Sequence, residues 1–108
     1  AHYDAIGKTK MGYDCVIEMK FRNKHYETKM LEKDKYDSLM SLDKSILKVY
    51  YVFDPQGNYM YWLDEMIMTK PVKKYCPDTT IWTKRRILKD VYLLKETDSS
   101  RIDINFSK

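Results

Sequence analysis

The sequence predicts a single α/β domain in which one main helix packs on a mixed central β-sheet. Residues 13–21 alternate in polarity as a β-strand does, and residues 46–53 are rich in β-branched and aromatic side chains. Between these two segments, apolar residues recur at helical spacing over residues 28–42. At 108 residues, the chain fits one domain and is long enough to bury a hydrophobic core.

The first twenty residues predict a β-hairpin. Residues 2–6 alternate weakly, the glycine-bounded turn GKTKMG follows, and a second alternating run completes the pair. With the centre of the turn placed near Lys10, Asp4 lies opposite Val16. In this register Glu18 is the diagonal neighbour of Asp4, within reach of a long side chain.

One face of this hairpin collects charged groups. Glu18 and Lys20 emerge on the same side of their strand, and Asp14 has the same parity. Carboxylates that lie close together repel unless a cation sits between them, and carboxylate oxygens suit Mg²⁺ or Mn²⁺. A nearby lysine can then orient or deprotonate an attacking water. The face therefore suits phosphodiester hydrolysis, and the alternative is an exposed surface with salt bridges.

The predicted helix of residues 28–42 has Thr28 as its N-cap. Lys35 lies on its apolar face, four residues from both Leu31 and Leu39. From that position Lys35 could extend along the helix surface or reach a site between helix and sheet.

The second half of the chain predicts further strands and a basic surface. The segment YMYWL predicts a return strand after the turn DPQGN, and residues 91–94 and 102–106 predict short strands. Residues 78–80 could open a short helix or a loop. Residues 70–95 contain eight lysines and arginines but only two aspartates, with aromatic residues among them, as expected for a surface that faces phosphates. A solvated loop is the alternative for this segment.

Composition favours a cytoplasmic protein. The chain has no apolar run long enough to span a membrane and no signal peptide. Its two cysteines are far apart in sequence, which favours reduced buried thiols, with one disulfide as the alternative. The many Lys, Tyr and Met residues are typical of an AT-rich genome. We therefore expect the cytoplasm of a bacterial cell or of a cell infected by a virus or phage.

Asp4, followed after thirteen residues by the tripeptide EMK at residues 18–20, resembles the PD-(D/E)xK nuclease superfamily. In that superfamily an aspartate on one strand and a (D/E)xK tripeptide on the next form the metal site. The order that follows, a helix and then a hydrophobic strand, is also similar. Lys35 matches the Gln or Lys that many members carry on this helix, and Arg22 resembles the basic residue that often follows the tripeptide.

The resemblance implies a restriction-endonuclease-like core over residues 1–65, with residues 66–108 as a basic C-terminal extension of the same domain. Most members place a helix and a further strand before the hairpin, which the first six residues of this sequence cannot hold. We therefore expect a core that is truncated or reduced at its N-terminus. The residue before Asp4 is Tyr3, where the family pattern has proline.

The implied activity is metal-dependent endonucleolytic hydrolysis of DNA. Asp4 and Glu18 would bind Mg²⁺, or Mn²⁺ in its place. Lys20 would act on the attacking water, and Lys35 would steady the phosphate or the water. The implied DNA-contacting residues are Arg22, Lys84, Arg85 and Arg86.

A second interpretation is a non-catalytic basic α/β module that binds nucleic acid or a protein partner, including a degenerate nuclease fold kept for binding. In that case Glu18 and Lys20 would form an exposed ion pair worth well under ~1 kcal/mol. Loss of activity on addition of EDTA and in Glu18→Ala would separate the two interpretations. Cutting of duplexes or junctions would favour a homodimer.

Overall fold

The computed structural model describes residues 3–77, 86–100 and 104–107, and in that part of the chain two β-sheets pack with one α-helix. In chain order the elements are β1 (Ala5–Thr9), β2 (Asp14–Phe21), β3 (Thr28–Glu32), α1 (Lys33–Met40), β4 (Leu47–Asp54), β5 (Gly57–Trp62), β6 (Val72–Pro77), β7 (Arg86–Lys95) and β8 (Ile104–Ser107). The larger sheet has the order β5-β4-β2-β1-β8, and the smaller one has the order β3-β7-β6. The predicted α/β class with a mixed sheet is confirmed, since β2 and β4 run parallel while the other pairs are antiparallel.

The predicted N-terminal hairpin is present, but its predicted register is wrong. Ile6 pairs with Val16, where the sequence interpretation placed Asp4. The turn lies further along the chain, because the Gly12 N–H donates to the Thr9 carbonyl oxygen at 2.9 Å. Gly12 has a φ of +88°, which is favourable for glycine and common in three-residue hairpin loops. The displacement is two residues, so every side chain keeps its predicted face.

The predicted helix over residues 28–42 is wrong in its first part. Thr28–Glu32 is strand β3, which pairs antiparallel with β7, and the helix covers only Lys33–Met40. The N-cap is therefore Glu32, with extended backbone, and not Thr28. Lys29 and Leu31 are buried and alternate with less buried neighbours, as in a strand. Pairing with β7 satisfies the backbone of this segment and overrides its helical spacing.

The predicted β4 and its return strand are both present. Asp54 closes the turn between them, since its Oδ1 accepts hydrogen bonds from the Gln56 and Gly57 N–H groups at 2.8 and 3.1 Å. β2 reaches β4 by a crossover that contains β3 and α1, as parallel strands require.

The C-terminal strands differ from the prediction in extent. β7 spans Arg86–Lys95 where residues 91–94 were predicted, and β8 spans Ile104–Ser107 where residues 102–106 were predicted. Strand β6 was not predicted, and residues 78–80 lie outside the described residues. No helix in the described segments is long and apolar enough to cross a membrane.

The core occupies both faces of the larger sheet. One face carries Val16, Tyr50 and Tyr61, and residues from α1 and the smaller sheet pack against it. The other face carries a second cluster that includes Ile17 and the free, buried Cys15. Glu18 lies on the first of these faces, because it is two residues beyond Val16 on β2. The candidate site therefore lies at the margin of the core that α1 covers.

Candidate active site and basic cleft

Glu18 and Lys35 meet at the edge of the core. Glu18 is only 7% exposed, and its Oε2 accepts a hydrogen bond from the Lys35 Nζ at 3.0 Å. Lys35 is on the first turn of α1 and is 47% exposed at its side chain. Of the two positions considered for Lys35, the structure therefore has the one between helix and sheet.

Lys20 lies in the same narrow cleft as this ion pair. The polar lining of the cleft comprises Glu18, Lys20, Arg22, Glu32, Lys35 and Tyr50. Burial lowers the pKa of Lys20, and the positive charges of Arg22 and Lys35 lower it further, against the opposing effect of Glu32 and Glu18. Lys20 is therefore more easily deprotonated than an ordinary lysine, which suits a group that takes a proton from water.

Asp4 lies beside the backbone between Glu18 and Lys20. Its Oδ2 accepts a hydrogen bond from the Met19 N–H at 2.8 Å. The N–H and C=O of one strand residue point to the same side of the strand, so the Met19 carbonyl faces the side on which Asp4 lies. Asp14 belongs elsewhere, because it pairs with Lys8 at 2.6 Å near the hairpin turn.

Two carboxylates, those of Asp4 and Glu18, lie at this end of β2, and Asp4 is outside the lining of the narrow cleft. Mg²⁺ is commonly bound through one or two carboxylates, with water and substrate phosphate completing its shell. Within residues 3–77, 86–100 and 104–107, no group of three or more His, Cys, Asp or Glu side chains is placed to hold a metal ion.

A larger basic cleft adjoins the candidate site. Its volume is about 340 Å³, and its charged lining residues are Arg22, Lys29, Lys74 and Arg86 together with Asp54. Arg22 and Tyr50 line both clefts. The structure thus brings together Arg22 and Arg86, which the sequence analysis had assigned to DNA contacts from distant parts of the chain. Two other assigned residues, Lys84 and Arg85, lie outside the described residues.

The lining of the basic cleft also includes residues that the sequence analysis did not select as site residues, among them Tyr26 and Lys74. Lys74 belongs to the basic segment, but nothing in the sequence distinguished it from the neighbouring lysines. Tyr26 lies in the connection between β2 and β3, where a single tyrosine carries no signal of its own.

A buried ionic cluster, also missed by the sequence analysis, lies at the floor of this region. Lys29 Nζ is 2.8 Å from Asp54 Oδ2 and 3.2 Å from Glu96 Oε1. His25 bridges the same two carboxylates, at 2.9 Å from each.

The pKa values of the cluster reflect this pairing. Burial raises the pKa of Asp54, but hydrogen bonds from Lys29, from the backbone of Gln56 and from His25 outweigh it, and the pKa falls to about 2. Burial lowers the pKa of Lys29, but its hydrogen bonds to Asp54 and Glu96 outweigh that effect and raise it. Each charge is thus held in its ionised form by an opposite charge.

No family model, curated protein or solved structure matches this chain. The chemistry of the candidate site therefore has to be inferred from its own geometry.

Proposed function

We propose that this chain is a metal-dependent endonuclease that hydrolyses phosphodiester bonds of DNA with Mg²⁺ or Mn²⁺. The observation that carries the proposal is the meeting of Glu18, Lys20 and Lys35 in one cleft, with the Asp4 carboxylate at the adjoining backbone. Carboxylates and a lysine of lowered pKa are the groups that metal-assisted attack of water on a phosphate needs. We also propose that the protein is located in the cytoplasm.

Asp4 and Glu18 would hold the metal, which supplies charge neutralisation at the phosphate and lowers the pKa of a bound water. Lys35 binds Oε2 of Glu18, so Oε1 is the oxygen that would face the cation. Lys35 is also exposed enough to contact a phosphate oxygen on the substrate. Lys20, as the neutral amine, would accept the proton of the attacking water.

The order of elements supports a restriction-endonuclease-like core as part of this proposal. A hairpin carries Asp4 near its first strand and the tripeptide at residues 18–20 on its second strand. Helix α1 and the hydrophobic strand β4 follow, in the sequence that the PD-(D/E)xK resemblance implies. Strand β3 is an addition between the hairpin and the helix.

The test is nicking of supercoiled plasmid by the wild-type protein in Mg²⁺ or Mn²⁺. We expect nicking that EDTA abolishes and that Glu18→Ala and Lys20→Ala each reduce by at least about 100-fold, the scale of general acid–base contributions. Glu65→Ala and Lys44→Ala, which replace exposed residues of the same types, should nick as the wild type does. Nicking that survives in Glu18→Ala would contradict the proposal.

A second candidate is a non-catalytic module that binds nucleic acid or a protein partner. The pairing of Glu18 with Lys35 favours it, because an ion pair can stabilise the fold without a metal. This candidate predicts DNA affinity that is independent of divalent metal, with no cleavage by wild type or variants. Cutting of both strands would instead favour a homodimer, which sedimentation at assay concentrations would detect.

A further inference from the structure

We infer that the basic cleft binds a single-stranded DNA segment and holds its bases against Tyr75 and Tyr26. This inference rests on the proposed function, because it names the form of DNA that the same site would receive. It is carried by the unpaired cations of the cleft and by its two exposed aromatic rings.

The cleft has a volume of about 340 Å³, and its lining combines cationic and aromatic residues. An unpaired nucleotide can place its base inside, as in proteins that recognise unstacked bases.

The cations of the cleft differ from their neighbours in pairing. Lys73 pairs with Asp90 at 3.0 Å, and Lys89 pairs with Glu32 at 2.7 Å. Lys74 and Arg86, which line the cleft, form no ion pair with any residue in the described part of the chain. These two charges therefore have no counter-charge within the described residues, as expected for groups that contact phosphates.

Two tyrosines of the lining expose large aromatic surfaces. Tyr75, on the edge strand β6, is 67% exposed, and Tyr26 is 54% exposed. Every base has a flat face, so aromatic side chains in a basic groove bind single strands with little dependence on sequence. Exposed tyrosines beside unpaired cations therefore favour single-stranded DNA over a protein partner.

The cleft is also continuous with the proposed catalytic residues. Arg22 and Tyr50 belong to the lining of both clefts. A strand whose bases lie on the tyrosines would pass Arg22 and bring a neighbouring phosphate to Glu18 and Lys20. The scissile bond would then lie next to the bound single-stranded segment.

The experiment is fluorescence anisotropy with labelled oligo(dT) and a blunt duplex of equal length, in EDTA. We expect tighter binding of oligo(dT) than of the duplex. Tyr75→Ala should weaken oligo(dT) binding by about 5- to 100-fold, while Tyr75→Phe should retain the wild-type affinity, because stacking needs only the ring. Tyr13→Ala, which removes an exposed tyrosine outside the cleft, is the matched control.

The salt dependence of oligo(dT) binding separates the contribution of the cations from that of the aromatic rings. Arg86→Ala should reduce the slope of log affinity against log salt by about 0.7, the value for one phosphate contact on a single strand. Tyr75→Ala should leave that slope unchanged. Duplex binding equal to or tighter than oligo(dT) binding, or full affinity in Tyr75→Ala, would overturn the inference, and so would tighter binding of oligo(U).

The two proposals fail separately. Because EDTA removes divalent metal, oligonucleotide binding measures the cleft without any cleavage. Oligo(dT) binding that needs Tyr75, together with no nicking in Mg²⁺ or Mn²⁺, would refute the nuclease and support the cleft. Nicking by a protein that shows no preference for single strands would do the reverse.

Discussion

Two of the lysine–carboxylate clusters in the described part of the chain differ in how completely their charges are buried. In the first, the side chains of Lys29 and Asp54 are 2% and 1% exposed. In the second, Glu18 is 9% exposed at its side chain, but Lys35 is 47% exposed. The central ion pair of the first cluster is almost fully buried, whereas the lysine of the second is open to solvent.

This difference separates a structural role from a functional one. Lys29 and Asp54 are paired with each other inside the protein, so these two charges are satisfied without a ligand. At the other site Lys20 has a pKa that its surroundings lower, and its charged neighbours include Arg22 and Lys35. An excess of positive charge next to a cleft suits a polyanion.

The largest expected difference between the clusters is in stability. Lys29→Met leaves Asp54 and Glu96 without their buried cation, and we expect the free energy of unfolding to fall by about 3–5 kcal/mol. Lys35→Met should lower the free energy of unfolding by less than about 1 kcal/mol. Lys35 is half exposed, and Glu18 would still have Lys20 nearby. Urea unfolding of both variants beside the wild type measures this. Equal losses would show that the two clusters have the same structural role.

The next prediction concerns how the stability contributed by Asp54 changes with pH. The pKa of Asp54 is about 2 in the folded protein against 3.8 as its ordinary value. Its stabilisation is therefore complete above pH 3.8 and is lost as the pH falls towards 2. We expect Asp54→Asn to melt below the wild type at pH 7, with the two melting temperatures converging at low pH. The exposed Glu27→Gln is the control, and a gap that stays constant with pH would contradict the assignment.

The smallest expected effect is a change in the pKa of Lys20 beside the Glu18–Lys35 pair. Lys35 contributes to lowering the pKa of Lys20, although burial contributes more. Lys35→Met should therefore raise the pKa of Lys20 towards its ordinary value without restoring it completely, as NMR titration of the Lys20 side chain would show. Lys44→Met, at an exposed position, should leave the titration unchanged. A lower pKa in Lys35→Met would be inconsistent with the arrangement described.

Sequence patterns were sufficient for elements whose signal lies within a few residues. The hairpin, strand β4 and its return strand follow from alternation and turn residues alone. The extent of α1 did not, because TKMLE at residues 28–32 fits the spacing of a helix and the alternation of a strand equally well. Only β7, about sixty residues later, supplies the hydrogen bonds that make it a strand.

Some contacts of the candidate site could likewise be predicted from the sequence, and others could not. Glu18 and Lys20 share a face in any strand, so their proximity could be predicted from the sequence. The contact of Lys35 with Glu18 was one of two expected alternatives, and it depended on how α1 packs on β2. The buried cluster gave no signal, because Lys29 is separated from Asp54 by 25 residues and from Glu96 by 67.

By itself the sequence determined the α/β class, the hairpin with its charged face and the concentration of basic residues near the C-terminus, since each is encoded by neighbouring residues. The tertiary structure decided the register of the hairpin, the strand conformation of residues 28–32 and the joining of Arg22 with Arg86 in one cleft. Those features depend on which distant segments pair and which charges become buried together. The free energy of such contacts belongs to the pair and cannot be assigned from either segment alone.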